Sequence, residues 1–383
     1  MSVVDLTDEQ LRARGSIKWT FAAADVLPAW VAEMDFALAE PITAALHDAV
    51  DRGDVGYPAL DEATGVPEAL ASFAGERWGW SPDPASVVLT GDVMAGVRLA
   101  LETLCEDAPV VVPTPAYMPF LDVVPLSGRE MVTIPLDPDA DRAAMDLDRV
   151  EAAFADGART LLLSNPHNPW GRAFTRAELE ALRDVVARHG VRVISDEIHA
   201  PLVLPGHTHI PYASLDGTAE HTTTLMSASK AWNVPGLKSA QLVAGSRADL
   251  RALRALPPVA NHGASPLGHV AARAAYREAL PWLAAVLDRL EANRVLLADL
   301  VAQELPKVRM RALEATYLAW LDARCTGLAN PAGVALERGR VLVNDGATFG
   351  PGGEGHVRVN LATSPERVAE VVRRLAKAWG DPA

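Results

Sequence analysis

Short apolar runs alternate with longer segments in which apolar residues recur every three or four positions. Seven of these runs are rich in Val, Leu, Ile and Thr, which is typical of buried strands; they cover residues 87–90, 110–113, 131–134, 160–164, 191–195, 222–226 and 241–245. Amphipathic helices are predicted between several of them, as in residues 145–155 and 176–188. Thr175 and Glu178 form a capping-box pattern at the start of the second helix.

This alternation predicts an α/β fold with a mostly parallel seven-stranded sheet covered by helices on both faces. A long helical pattern at residues 279–305 follows, and then two more apolar runs and a final amphipathic helix from Pro365. These later elements predict a smaller α+β domain. We therefore expect an N-terminal arm over residues 1–40 that packs with the small domain or a partner subunit. A large domain covers residues 41–278 and a small C-terminal domain residues 279–383.

Composition narrows the class of protein. The 383 residues are 49% hydrophobic and 22% charged, which is typical of a globular chain with a sizeable core. The net charge of −14 argues against a nucleic-acid partner, and no run reaches the ~18 apolar residues of a membrane span. Cys105 and Cys325 are far apart in the sequence and lack metal spacing. Together with the absence of a signal-peptide pattern, this favours a reduced, cytoplasmic protein.

Three segments carry residue types that suit pyridoxal 5′-phosphate (PLP) chemistry. They are residues 165–171 (NPHNPWG), 194–199 (ISDEIH) and 227–238 (SASKAWNVPGLK). A lysine must bind PLP covalently, and desolvation or a cationic neighbour makes its amine nucleophilic. A carboxylate must face the pyridine nitrogen so that the ring can accept electrons. Lys230 and Asp196 suit these roles, because open α/β sheets bind ligands beyond the carboxyl ends of their strands.

The set resembles the aminotransferase-like, fold-type I PLP superfamily over nearly the whole chain. Within it, the sequence is most similar to the carbon–sulfur β-lyase (cystathionine β-lyase-like) branch. Residues 27–36 (LPAWVAEMDF) and 209–215 (HIPYASL) carry this resemblance. So does His199, which stands where many aminotransferases of the superfamily have a tyrosine that contacts the cofactor's phenolic oxygen. Glu33 departs mildly from the branch, which usually has aspartate there.

The resemblance implies a role for each matching position toward PLP. Lys230 binds the cofactor, Asp196 faces the ring nitrogen, Asn168 binds the phenolic oxygen and Tyr117 stacks on the ring. The phosphate is expected at a strand-to-helix turn and the hydroxyls that flank the lysine; these residues are Gly91, Asp92, Val93, Ser227 and Ser229. Lys238 lies where many relatives have arginine, so we expect a looser phosphate contact.

The resemblance also implies substrate-binding residues. Arg358 matches the arginine that binds the substrate carboxylate, since a guanidinium suits that group. Ala32 aligns with a backbone position near the carboxylate. Tyr57 matches a tyrosine contributed across a dimer interface, which predicts a homodimer with shared active sites. His207 and His209 form a His-x-His pair, but no third ligand follows at a suitable spacing, so no metal is expected.

These expectations converge on PLP-dependent α,β-elimination. The substrate is cystathionine or a related cysteine S-conjugate, the products are pyruvate, ammonia and a thiol, and Lys230 acts as general base. An aminotransferase would use the same residues and stays open as the alternative. A regulatory or interaction protein on this scaffold is a third hypothesis, against which the intact Lys230, Asp196 and Arg358 speak. The thiol half of the substrate has no readable sequence signal.

Overall fold

The computed structural model describes residues 3–137, 139 and 142–380. Its strands are β1 (Leu27–Pro28), β2 (Val87–Thr90), β3 (Val110–Thr114), β4 (Met131–Pro135), β5 (Thr160–Ser164), β6 (Arg192–Asp196), β7 (Thr222–Met226), β8 (Ala240–Val243), β9 (Arg309–Met310), β10 (Leu318–Asp322), β11 (Val341–Leu342), β12 (Asn344–Asp345) and β13 (His356–Asn360). Seven of them form the main sheet in the order β2-β8-β7-β6-β5-β3-β4. Only β8 runs antiparallel to its neighbours. The predicted mostly parallel seven-stranded sheet is therefore confirmed.

The α-helices alternate with these strands along the chain. They are α1 (Asp8–Ala13), α2 (Ile17–Thr20), α3 (Glu40–Asp51), α4 (Val66–Trp78), α5 (Val93–Leu104), α6 (Met118–Leu126), α7 (Leu147–Ala155), α8 (Arg176–His189), α9 (Arg247–Arg254), α10 (Pro266–Glu278), α11 (Leu280–Glu304), α12 (Pro331–Gly339) and α13 (Pro365–Trp379). The capping box predicted for α8 is present, with Thr175 and Glu178 exchanging hydrogen bonds. Within the described ranges, no helix is long and apolar enough to cross a membrane.

Alternate residues of the central strands enter two different apolar cores. Leu162 and Ile194 lie in the core on one face of the sheet, and Leu161 and Val193 in the core on the other. Full burial of such a side chain stabilises the fold by roughly 1.5–3 kcal/mol. Strands buried on both faces read as continuous apolar runs, which is why the sequence pattern located them. The pairing of Ser164 with Asp196 brings the carboxyl ends of β5 and β6 to one edge.

A second, antiparallel sheet in the order β12-β13-β10-β9 lies in the C-terminal part of the chain. The N-terminal segment contacts this part: β1 pairs in parallel with β11, and the Asn360 amide N–H donates to the Ala29 carbonyl at 2.9 Å. The predicted domain boundaries at residues 40 and 278 stay a prediction. Residues 1, 2 and 381–383 of the outer two domains lie outside the described residues.

A buried ion pair fixes the N-terminal segment internally, and Asn233 joins that segment to the turn that carries Lys230. Lys18 Nζ lies 2.9 Å from Asp35 Oδ1, and each side chain is 1% exposed. Lys18 also donates to the Glu33 carbonyl, and the Trp19 indole N–H donates to Asp35. The side-chain amide of Asn233, three residues after Lys230, binds both the N–H and the carbonyl of Met34. The lysine turn and the N-terminal segment are thus joined.

Helix α10 begins so close to the segment before β8 that its third residue must be glycine. A Cβ on Gly268 would overlap the carbonyl oxygen of Leu237 and would lie 3.0 Å from the carbonyl oxygen of Lys238. The Ser265 amide N–H donates to the Lys238 carbonyl at 2.9 Å, which fixes the same approach. The position of Lys238 therefore depends on the absence of a side chain at Gly268.

We predict that Gly268→Ala lowers the free energy of unfolding by roughly 2–3 kcal/mol, because backbone must move to relieve the overlap. Chemical denaturation monitored by tryptophan fluorescence measures this loss. Gly236→Ala is the matched control, since a Cβ there meets no atom within 4 Å. Equal stability of the two variants would contradict the predicted close approach.

Candidate active site

A cavity of about 340 Å³ opens at the carboxyl edge of the main sheet. Eleven of the residues predicted from the sequence line it: Ala32, Asp92, Val93, Tyr117, Asn168, Asp196, His199, Ser229, Lys230, Lys238 and Arg358. Gly91, Ser227 and Tyr57 do not line it. The structure thus brings together side chains from the main sheet, the antiparallel sheet and the N-terminal segment. Their individual roles stay predictions.

Asp196 is the acid of the cavity. It ends β6 and is 6% exposed, and its Oδ1 accepts a 3.0 Å hydrogen bond from the Ile198 amide. Burial raises the pKa of its carboxyl to about 7, and the carboxylate of Glu197 acts in the same direction. A group that binds Asp196 with an N–H donor would relieve this desolvation.

Lys230 is the amine of the cavity. It follows β7 in a turn, and its Nζ donates to the Ala32 carbonyl at 3.2 Å. Burial and the positive charge of Arg358 lower the pKa of this amine to about 8. A substantial fraction of Lys230 is therefore neutral, and nucleophilic, near physiological pH.

Arg358 is a buried cation held by neutral groups. It lies in β13 and is 2% exposed. One guanidinium nitrogen donates to Asn168 Oδ1 at 2.9 Å, and another donates to Asn344 Oδ1 at 2.7 Å and to the Trp30 carbonyl at 3.3 Å. Among the described residues, no carboxylate forms an ion pair with it. The site therefore offers a positive charge to an external anion.

His199 and Tyr117 bring rings to the cavity. His199 is 4% exposed, and its Nδ1 has no hydrogen-bond partner in the part of the chain that the structure describes. Burial lowers the pKa of His199 to about 3, with a further contribution from Lys230, so the ring is neutral. The unpaired nitrogen is available to a ligand. Tyr117 packs edge-on against Phe120, with ring centroids 5.8 Å apart.

The start of α5 lies at the end of the cavity where the sequence predicts the phosphate. Asp92 caps this helix by accepting from the Ala95 amide at 2.8 Å. Its other carboxylate oxygen lies 2.8 Å from Lys238 Nζ, and both side chains are partly exposed. Burial opposes ionisation of Asp92, but the hydrogen bond and charge of Lys238, together with backbone hydrogen bonds from Ala95 and Met94, outweigh it and lower the pKa of the carboxyl. The hydroxyls of Ser227 and Ser229, which precede Lys230 in the sequence, lie 2.6 Å apart.

Sequence reasoning missed several lining residues. Trp30, Met94, Met118 and Asn344 line the cavity, yet the sequence assigned a role to none of them, although Trp30 lies in the segment 27–36 that carries the resemblance. Tyr317 was also missed; its hydroxyl donates to the Ala32 carbonyl at 3.0 Å. Only its place in an apolar run was visible in the sequence.

His209 has a structural partner. Its Nε2 lies 2.8 Å from Glu197 Oε2, and both side chains are fully buried. The Tyr212 amide and the Ser195 hydroxyl also donate to Glu197. Among the described residues, no cluster of three or more His, Cys, Asp or Glu has a geometry that would hold a metal ion.

The fold and the cavity define a class of protein, and comparison with known proteins gives its family. A family model described as aminotransferase class I and II matches residues 31–375. The chain belongs to this family, and the predicted fold-type I transferase fold is confirmed.

Individual relatives narrow the resemblance to one branch. Cystathionine β-lyase from Corynebacterium glutamicum is 40% identical, with 96% of this chain and 98% of that protein covered. Cystathionine β-lyase PatB from Bacillus subtilis is 35% identical over 98% and 99% of the two chains. The crystal structure of the PLP-bound C–S lyase from Staphylococcus hominis has a TM-score of 0.90 at 27% identity and covers 96% of each chain. The predicted similarity to the carbon–sulfur lyase branch is confirmed.

We predict that Asp196→Asn stabilises the cofactor-free protein at pH 8. Because folding raises the pKa of Asp196 from 3.8 to about 7, the unfolded chain ionises first, and the resulting penalty grows between these values as pH rises. The gain is about 4 kcal/mol at most above pH 7, and it shrinks toward pH 4. Urea denaturation at pH 5 and pH 8 measures it.

Asp249→Asn is the control for this prediction. Asp249 is also 6% exposed, but both its carboxylate oxygens accept from Arg192 at 3.0 Å. Loss of that ion pair should destabilise the protein at pH 8. A pH-independent effect of Asp196→Asn, or a loss of stability at pH 8, would contradict the assigned protonation behaviour.

Proposed function

We propose that this protein is a PLP-dependent carbon–sulfur β-lyase. It eliminates a thiol from L-cystathionine or a related cysteine S-conjugate and yields pyruvate, ammonia and the thiol. The observation that carries the proposal is that one cavity brings together the Lys230 amine, the Asp196 carboxyl and the Arg358 guanidinium. Among the described residues, no carboxylate forms an ion pair with Arg358. The names of the relatives favour elimination over other reactions of the family.

The polar groups of the cavity fit PLP. The Lys230 amine suits the aldehyde, Asp196 the ring nitrogen, and Asn168 with the unpaired His199 Nδ1 the phenolic oxygen. The amide end of α5, Ser229 and Lys238 suit the phosphate. The flat ring of Tyr117 suits the pyridine face. When bound, PLP supplies an electron sink for negative charge at the substrate α-carbon.

The protein's own groups then divide the work. Arg358 binds the α-carboxylate and orients the substrate. Asp196 holds a proton at the ring nitrogen. With PLP and substrate bound, the Lys230 amine would take the α-proton, for which a neutral amine near pH 8 is suited. A thiolate is a good leaving group, so the β-carbon–sulfur bond breaks without a dedicated acid.

Product analysis with L-cystathionine in the absence of any 2-oxo acid tests this function. We predict catalytic formation of pyruvate, ammonia and thiol over many turnovers, and no product from Lys230→Ala. One stoichiometric turnover that stalls until a 2-oxo acid is added would instead identify an aminotransferase. Persistent borohydride-trappable PLP in Lys230→Ala would contradict the role of Lys230.

A homodimer with shared active sites is part of the proposal. Tyr57 is 95% exposed and lies outside the cavity of its own chain. Val50, Val55 and Leu60, close to it in sequence, are also more than half exposed. Such a patch is typical of an interface with another chain.

A cytoplasmic location is supported by the free thiols of Cys105 and Cys325.

We predict that two inactive variants complement each other when their subunits are mixed. If Tyr57 serves the partner's cavity, a mixed dimer of Tyr57→Ala and Lys230→Ala contains one intact site. Unfolding and refolding an equal mixture should restore about a quarter of the wild-type elimination rate. Lys230→Ala mixed with Arg358→Ala is the control, because both residues serve the cavity of one chain. No recovery in the first mixture would contradict sharing through Tyr57.

A further inference from the structure

The carbonyl oxygen of Ala32 accepts two hydrogen bonds from groups that are distant in sequence. Lys230 Nζ donates to it at 3.2 Å and the Tyr317 hydroxyl at 3.0 Å. A carbonyl oxygen has two lone pairs, so these two donors use its full capacity.

The peptide segment that presents this carbonyl is held on both sides. The Asn360 side-chain amide donates to the carbonyls of Val31 and Glu33, each at 2.7 Å. The Asn233 side chain binds Met34 through both backbone groups, at 2.8 and 2.9 Å. The Ala32 carbonyl therefore has little freedom to follow the lysine. It acts as a fixed acceptor at the cavity wall.

Tyr317 reaches this carbonyl through a strained backbone. The preceding residue, Thr316, has φ of 71° and is fully buried. A β-branched residue is rarely found in the left-handed region, and such strain clusters at functional sites. The Thr316 amide donates to the Leu202 carbonyl at 2.9 Å, and its hydroxyl accepts from Leu318 at 3.1 Å. These contacts hold the turn that places Tyr317.

The Tyr317 hydroxyl is a permanent donor. The residue is fully buried, and burial raises the pKa of its hydroxyl, so it stays protonated. It therefore occupies one lone pair of the Ala32 carbonyl at every working pH. The amine of Lys230 is left with the other.

We propose that the Ala32 carbonyl holds the Lys230 amine when this amine acts as the base, and that Tyr317 is a positioning residue for proton transfer. By filling one lone pair, Tyr317 restricts the amine to the other side of the carbonyl oxygen. Loss of the hydroxyl opens a second position for Nζ, and a misplacement of about 1 Å costs up to a hundredfold in rate. This inference deepens the proposed function, because it assumes that Lys230 takes the α-proton.

Exchange of the α-proton of L-alanine in D₂O isolates this step. Alanine has no leaving group at its β-carbon, so only proton transfer is measured. The α-proton moves to Lys230 Nζ, exchanges with solvent, and a deuteron returns to the same carbon. The PLP-loaded protein, its Tyr317→Phe variant and its Tyr276→Phe variant are compared. Tyr276 is the matched control, because its hydroxyl is also buried but donates to Gln241 at 2.8 Å and not to the Ala32 carbonyl.

We expect Tyr317→Phe to lower the exchange rate at saturating alanine about tenfold, while the dissociation constant for alanine changes less than about twofold. Tyr276→Phe should exchange at the wild-type rate. Asn360→Ala, which frees the segment around Ala32, is the second variant and should reproduce the loss if Tyr317→Phe does not fold.

Three results would overturn the inference. They are an unchanged rate in folded Tyr317→Phe, an equal loss in Tyr276→Phe, and a loss confined to alanine affinity. A wild-type protein that exchanges alanine but does not eliminate thiol from cystathionine would refute the proposed function alone. Absence of wild-type exchange would contradict Lys230 as the base, and the inference would fail with it.

Discussion

Arg358 is buried with no ion-pair partner among the described residues, and this is the constraint on which the site depends. A guanidinium removed from water is costly unless its N–H groups are satisfied. Here the oxygens of Asn168 and Asn344 and the Trp30 carbonyl accept from the two terminal nitrogens, and the ring of Phe349 lies 4.8 Å from the guanidinium carbon. The Nε of Arg358 has no hydrogen-bond partner among the described residues. These groups come from the loop after β5, from the antiparallel sheet and from the N-terminal segment. One cation therefore joins three parts of the chain around a cavity and keeps its charge available.

The same burial adjusts an acid and a base in opposite directions. The pKa of Asp196 is raised to about 7, and that of Lys230 is lowered to about 8. The pKa values of these two groups ordinarily lie far apart, and here both lie close to neutral pH, which is typical of catalytic pairs. The shift of the Asp196 pKa does not help folding, because burial makes the folded carboxyl harder to ionise than the unfolded one. The two pKa shifts are better explained by a ligand that binds both groups.

The sequence predicted the elements that are buried on both faces, because continuous apolar runs are visible without any knowledge of tertiary contacts. It also located Asp196 and Lys230, which lie in compact local motifs. Tyr317 escaped prediction because its partner, the Ala32 carbonyl, is 285 positions away and is a backbone group. Asn344 lies in a two-residue strand with no periodicity to detect. The contact of Tyr317 with the Ala32 carbonyl and that of Asn344 with Arg358 depend on how distant parts of the chain pack together.

Charge coupling between Arg358 and Lys230 gives the site a way to respond to its substrate. In the free protein, the positive field of Arg358 is the second contribution, after burial, that lowers the pKa of the Lys230 amine. The amine is therefore neutral enough to bind an aldehyde. Under the proposed function, a substrate carboxylate bound to Arg358 would cancel much of that field, so the Lys230 amine would gain proton affinity when an α-proton lies beside it. One ion pair can thus orient the substrate and strengthen the base in the same event.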